Sequence, residues 1–415
     1  GISVDASDDI KNFTITAVLD GCDSVTAEQV WIYPNLMTVG NNHAGDNNGQ
    51  YTLGNGTLTD TNTFGAIGPY KVWTQVGGRW HGLALSEGNE LWDWGGNAYG
   101  QVGNGNRVSQ SKPVQIANSW NVISDGWGHS LGITTGELLY SWGYNHQGQL
   151  GNGSSGSANS YDVLTPTRIA AGTLASVRWS YVSGGHTHSL ALDTDQKLYA
   201  FGSNTFGQLA AGTGTSSYLN PTLRYSSWSW LDVAAGRFYS LGVRDTGALY
   251  SWGVNDNYQL GRTPRADDNS LWAATQVGTA TNWTQVSGQF GSSFAINSDG
   301  ELWAWGQNNL GQLGLGYVTS STAAPWGVPS PKQVVVSGVQ WAYVSSGANQ
   351  TMALSTDGDL YGWGHNADGD LGLGNNDSPV LTPTKIGKLK WDTAESAVSA
   401  GIGVARTFVP QGYSY

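Results

Sequence analysis

One short phrase is repeated seven times along the chain. Its cleanest copy is Leu249-Tyr250-Ser251-Trp252-Gly253-Val254-Asn255, and the others open at Leu36, Leu91, Leu139, Leu198, Leu302 and Leu360, 48 to 59 residues apart. Recurrence at this period means repeated supersecondary units, each of which buries its apolar faces against its neighbours and not alone.

The phrase reads as a strand that runs into a turn. Its apolar run lacks helical spacing, and a Gly stops it. Alternation puts Tyr250 and Trp252 on one face and Leu249 and Ser251 on the other, so the strand needs cover on both sides. In most copies a segment close to Gly-Gln-Leu-Gly follows, as in Gly148-Gln149-Leu150-Gly151 and Gly311-Gln312-Leu313-Gly314. Gly supplies positive φ and Asn bonds its own backbone, which suits a tight connection. The repeat framework is therefore assigned to Trp94, Trp142, Phe201, Trp252, Trp305 and Trp363, with Asn97, Asn145, Asn204, Asn255, Asn308 and Asn366 behind them.

A second signature alternates with the first and begins at Trp73, Trp120, Trp179, Trp230, Trp283, Trp341 and Trp391. Each Trp leads into a small, Gly-bearing stretch and then a second apolar strand, such as Ser240-Leu241-Gly242-Val243. A Pro-x-x-aliphatic strand precedes several of them, as in Pro166 to Ile169, which makes four strands per unit. The last unit ends near Val404 to Val409 without its Leu-aromatic-Trp-Gly strand, whereas the first begins at Leu36 with that strand alone. The two ends complete one another, so closure by pairing the first repeat strand with the last is expected. Closure removes sheet edges that template aggregation. The organisation expected is residues 1–35 as an N-terminal extension acting as strand or tether, 36–409 as a seven-bladed propeller and 410–415 as a tail.

Composition agrees with short strands and tight turns. The 415 residues include 60 Gly and 20 Trp, and only 12% are charged. A net charge of −12 makes nucleic acid and anionic membranes poor partners. Cys22 is the single cysteine, so no intrachain disulfide is available. No apolar run reaches the roughly 18 residues of a spanning helix. Neither a signal peptide nor a myristoylation signal is read at Gly1 to Asp5.

The signatures Trp…Val-x-x-Gly-x-x-His-Ser-Leu-Ala-Leu and Leu-Tyr-x-Trp-Gly-x-Asn-x-x-Gly-Gln-Leu-Gly resemble the repeats of the regulator of chromosome condensation family. Residues 120–153 and 179–209 carry the resemblance best, and it spans about 36–409. It implies an all-β fold, a seven-bladed β-propeller of four-stranded blades. Some members of this family exchange nucleotide on a Ran-type GTPase and bind chromatin. The acidic segment 1–35 departs from the basic tail that chromatin binding would want, and no exchange motif is matched. A light-sensing branch of the family repeats Gly-Trp-Arg-His-Thr in successive blades. Here Gly126-Trp127-Gly128-His129-Ser130 occurs once without the Arg, and Arg79-Trp80-His81 is a partial match.

Hidden chemistry is scarce. His186 and His188 are spaced for one strand face, a metal-like spacing, but His188, His129 and His81 share a repeat slot where Tyr239, Gly291 and Gln350 also stand, so a structural slot is expected. Asn366-x-Asp368-Gly369-Asp370 looks like the opening of a calcium loop yet overlays the repeat turn, with Gln149 and Gln312 matching Asp370. The turn reading is preferred. No nucleophile elbow, phosphate loop or paired metal motif is present. The expectation is thus a non-enzyme without metal or cofactor.

Loops outside the signatures are the candidate binding elements: Arg262, Arg265 and Trp272 in 261–275, and Tyr317 and Trp326 in 315–330. Aromatics and Arg outside a core pattern are enriched where proteins bind. The function expected is presentation of loops to another protein or a larger protein assembly. Low Lys content, acidity and richness in Gly, Asn, Ser and Thr resemble surface-displayed proteins, including virion decoration, fibre or attachment components, more than nuclear regulators. The competing expectation is an exchange or regulatory factor for a small GTPase.

Overall fold

The computed structural model describes residues 36–42, 52–68, 71–170, 172–213, 215–263, 270–320, 327–396 and 400–405, with four two-residue strands before them. Those four pair as Asn12–Phe13 with Val30–Trp31 and Thr16–Ala17 with Val25–Thr26. Arg265, Trp326 and the tail 410–415 lie outside the described residues.

Each repeat folds as an antiparallel meander of four strands. The unit Trp230–Ala235, Tyr239–Arg244, Leu249–Val254 and Ser270–Gln276 is representative, each strand pairing with the next. First strands of successive units contact one another around the ring, from Trp73–Gly78 to the strand Val380–Ser396 and back. They therefore line the axis, and the fourth strands lie outermost. The all-β propeller fold is as expected.

Seven separate blades were expected, and this is corrected. Among the described residues the propeller consists of six sheets, five of four strands and one of seven. The cause is Val380–Ser396, which pairs with Asp359–Gly364 through its first part and with Ala400–Ala405 from Trp391 onward. Elsewhere a turn or loop separates the fourth strand of one unit from the Trp of the next, as residues 117–119 do between Ile116 and Trp120. Here Lys390 runs straight into Trp391, so two repeats share one sheet. The same sheet closes the ring: Ala400–Ala405 pairs with Leu36–Gly40 in the register Val404 to Leu36 and Ala400 to Gly40.

The signature residues explain the sheets. Trp94, Trp142, Phe201, Trp252, Trp305 and Trp363 are wholly buried. The indole N–H of Trp142 donates to the Gln101 carbonyl of the preceding unit at 2.8 Å, and Trp252 does the same to Gln208. The Gly after each Trp has φ near +100°, for example Gly143 at +94° and Gly253 at +102°. A Cβ on Gly253 would stand 2.5 Å from the Cα of Tyr239, so conformation and space both demand Gly. Asn145 accepts the Leu150 N–H at 3.1 Å and donates to the Ser154 carbonyl at 3.0 Å, thereby satisfying the turn's backbone. The turn then backs onto the next unit's outer strand: a Cβ on Gly207 would meet Trp272 Cα at 2.9 Å, and one on Gly369 would meet Asn62.

Candidate binding rim and axial cavity

In a meander of this kind the loops after the first and third strands emerge at the same end of the ring. The Trp signature stops at a small residue and then places a bulky ring beside the axis, in residues that belong to neither repeat signature. Trp80, Trp127, His186, Phe238 and Phe290 occupy these first-to-second-strand loops, and all are half-buried. Tyr99, Tyr144, His146 and Phe206 join them from the third-to-fourth-strand loops.

The rings make one continuous cluster across four sheets. Trp80 and Trp127 meet edge to face at 5.7 Å, and Trp127 stacks on His186 at 4.8 Å. His186 leads to Phe238 at 5.2 Å and Phe238 to Phe206 at 5.1 Å. On the other side Tyr144 and Tyr99 pack at 4.6 Å, with both within 6 Å of Trp127. The exposed Arg237 lies over the Phe238 and Phe290 rings at 5.0 and 5.2 Å, which carries the cluster to the next sheet. Burial and the nearby Arg237 and Arg79 charges push His186 down to about 4, so it is neutral at physiological pH.

Beneath the rim lies an axial cavity of about 400 Å³ lined by first strands, with Gln75, Asp125, Tyr181, Asp232 and Gln285 among its walls. Arg79 and Gln289 belong to both the cavity and the small pocket at the rim beside Trp127 and Phe290. Arg79 reaches across to donate to the Ala235 carbonyl at 3.2 Å. Gln75 locks onto the neighbouring strand, donating to the Ile123 carbonyl and accepting its N–H. Burial raises Asp125 and Asp232 to about 6; Arg79 opposes the rise at Asp125, and two backbone N–H groups oppose it at Asp232.

Outside the cavity, the shared His slot is part of the ring's own framework. His81, His129 and His188 each place Nε2 within 2.9 Å of a Ser hydroxyl in the next unit, namely Ser130, Ser189 and Ser240. Each Ser donates onward to the carbonyl of Gln101, Gln149 or Gln208, so it accepts from the imidazole, which carries its proton on Nε2. Tyr239 extends the series, accepting from Ser293 and donating to the Ser292 carbonyl. His186 lies in the loop before the strand His188–Asp193 and points into the aromatic rim, so the expectation that it shares a strand face with His188 is corrected, as is the placing of Gly291 in the shared slot, where Ser292 stands opposite Gly306.

The loop residues singled out in the sequence are dispersed. The Arg262 guanidinium donates to Ser251 Oγ and to the Thr275 and Gln276 carbonyls, all within 3.1 Å. Trp272 lies half-buried on the outer strand Ser270–Gln276, against the turn at Gly207. Tyr317 is exposed, and its carbonyl accepts from Asn308 at 2.7 Å. The aromatic rim was missed because its members sit one per repeat, far apart in sequence. An aromatic or His directly after the small stretch in successive copies is the signal that would have found it.

These features define a closed β-propeller of repeated four-stranded units with an aromatic and arginine rim. The chain belongs to the regulator of chromosome condensation (RCC1) repeat family: residues 89–133, 137–192, 299–354 and 357–404 match one description of that repeat, and 179–208, 230–259 and 341–370 match a second. It is 30% identical over 311 residues to the ultraviolet-B receptor UVR8 of Arabidopsis thaliana, covering 74% of this chain and 68% of the receptor. It is also 31% identical over 211 residues to the human probable E3 ubiquitin-protein ligase HERC6, where the match covers 50% of this chain and 20% of the ligase. Among solved structures, human WBSCR16 superposes with a TM-score of 0.77 at 19% identity, covering 90% of this chain and 99% of that one. Yeast RCC1 (Prp20) superposes with a TM-score of 0.75 at 17% identity, covering 91% and 90%. No described helix is long and apolar enough to cross a membrane.

Proposed function

We propose that the chain is a non-catalytic propeller that binds a protein partner through the rim running from Tyr144 to Phe290. The observation that carries this reading is the unbroken run of half-buried rings capped by the exposed Arg237. Rings already packed on one another lose little freedom on binding, and Trp, Tyr and Arg dominate the energetics of interfaces. A photo-crosslinking residue placed at Tyr144, compared with one at the exposed Val335 just after the outer strand Gly327–Val334, tests it. A discrete adduct at Tyr144, abolished by Trp127→Ala and absent at Val335, is expected. Equal labelling at both positions would overturn the rim assignment.

The Trp80 and Trp127 contact favours a second reading, in which this rim responds to light, as the name of the Arabidopsis receptor suggests for that protein. Ultraviolet-B irradiation would then change tryptophan emission or oligomeric state in the wild type and not in Trp127→Phe. Guanine-nucleotide exchange on a small GTPase has the shared propeller as its support, and accelerated release of a fluorescent nucleotide tests it. The role as a surface-displayed or virion component draws on composition, with residues 1–35 as its tether. Co-purification with a particle, lost on deleting 1–35, is its test.

A further inference from the structure

Two repeat turns depart from the others at the centre, the first with Thr52 and the last with Asp370. Five turns hold a Gln there, at 101, 149, 208, 259 and 312, whose Oε1 accepts the backbone N–H two residues earlier at 2.7 to 3.0 Å. The last holds Asp370, which is 1% exposed. One of its oxygens lies 2.9 Å from His365 Nδ1, and the backbone N–H of Asn41 is a further donor to the buried carboxylate. Two donors leave part of the roughly four lone-pair sites of a desolvated carboxylate unused, and a cation can take them. Asp368 stands beside it, and one ligand atom from each of His365, Asp368 and Asp370 falls within 4.8 Å of the others. Asp370 closes the buried side, while His365 and Asp368 are half-buried and reachable from solvent.

The geometry points to a site for a divalent first-row transition ion, zinc or a close analogue, held by His365, Asp368 and Asp370 and completed by water. Imidazole with carboxylates suits such an ion, whereas calcium takes about 6 to 8 oxygens and magnesium keeps an oxygen octahedron. The calcium-loop pattern would have needed Asn366, but Asn366 accepts the Leu371 N–H at 3.1 Å and donates to the Asn375 and Asp377 carbonyls, which makes it part of the turn. Donors about 2.0 to 2.2 Å from a zinc ion stand about 3 to 4 Å apart, so a rotation of the half-exposed Asp368 side chain closes the set. Binding displaces the proton shared by His365 and Asp370 to solvent. Because Gly369 backs onto Asn62 and Gly374 bonds its carbonyl, the ion would fasten this turn where it meets the first repeat's outer strand.

The full chain, freed of metal, is titrated with Zn2+ by calorimetry and with Co2+ by visible absorption. Asp370→Gln and His365→Gln are the variants, since Gln312 and Gln307 fill the same slots one repeat earlier and the turn is retained. The wild type is expected to bind one ion, to show a cobalt ligand-field band and to melt higher with Zn2+. Each variant should lose more than about 100-fold in affinity, beyond the 10- to 100-fold typical of losing an indirect partner. Three outcomes would overturn the site: no saturable Zn2+ binding by the wild type, equal affinity in both variants, or stabilisation by Ca2+ in place of Zn2+.

Discussion

His81, His129 and His188 are buried imidazoles whose hydrogen bonds tie successive units together. Burial lowers His81 and His188 to about 3 and His129 well below its ordinary value, so the folded chain resists protonation that the unfolded chain accepts. For such groups the stability contribution is whole above pH 6.5 and is lost as pH falls from there toward 3, by up to about 1.4 kcal/mol per pH unit for each imidazole. Asp125 and Asp232, raised to about 6, act in the opposite sense. Their contribution is whole below about pH 4 and is lost as pH rises through 6, so the two terms compete between pH 4 and 6. The first prediction is therefore differential: His188→Gln should flatten the fall in urea midpoint between pH 6.5 and 4 by about one proton relative to wild type. Gln350 already occupies this slot in another repeat and is buried there, so the substitution is compatible with the fold. The structural role of this slot was legible from the sequence, because residues as unlike as His, Tyr and Gln share it. The hydroxyl partner was not, since Ser130, Ser189 and Ser240 belong to the next unit and no spacing within one repeat names them.

Within an element, the residues most open to prediction are those that the backbone itself requires. Gly143 combines φ of +94° with neighbouring backbone 2.6 Å from any added Cβ. Gly143→Ala should cost more than about 2 kcal/mol, the sum of left-handed strain and a displaced strand, and a denaturant midpoint checks it. Asn145→Ala removes the acceptor of the Leu150 N–H and donors to the 152–154 loop, so a loss of about 2 kcal/mol is expected, with faster hydrogen exchange at Leu150 as its local mark. Both positions were readable because they recur. The division into sheets was less so: seven phrases stand in the sequence, but whether two neighbours merge depends on the link between them. Between Ile386 and Trp391 that link holds Gly387 at φ +59°, yet strand pairing continues through it. The rim was invisible for the complementary reason, since only the ring brings Trp80 beside Trp127 and Phe238 beside His186.

At the scale of the whole molecule, stability depends on the strand Ala400–Ala405, which lies between the last repeat and Leu36–Gly40. Removing residues 397–415 would leave two strand edges unpaired, and edges of this kind recruit other chains. Such a truncation should lose the wild-type peak in size-exclusion chromatography and scatter light on mild warming, whereas a monodisperse, equally stable product would show that the seam is dispensable. The same register has a further consequence. With Leu36 opposite Val404, the segment entering the propeller and the one leaving it do so side by side. A donor and an acceptor fluorophore attached just outside these two points would report each breach of the circle as a fall in energy transfer, long before the remaining blades come apart.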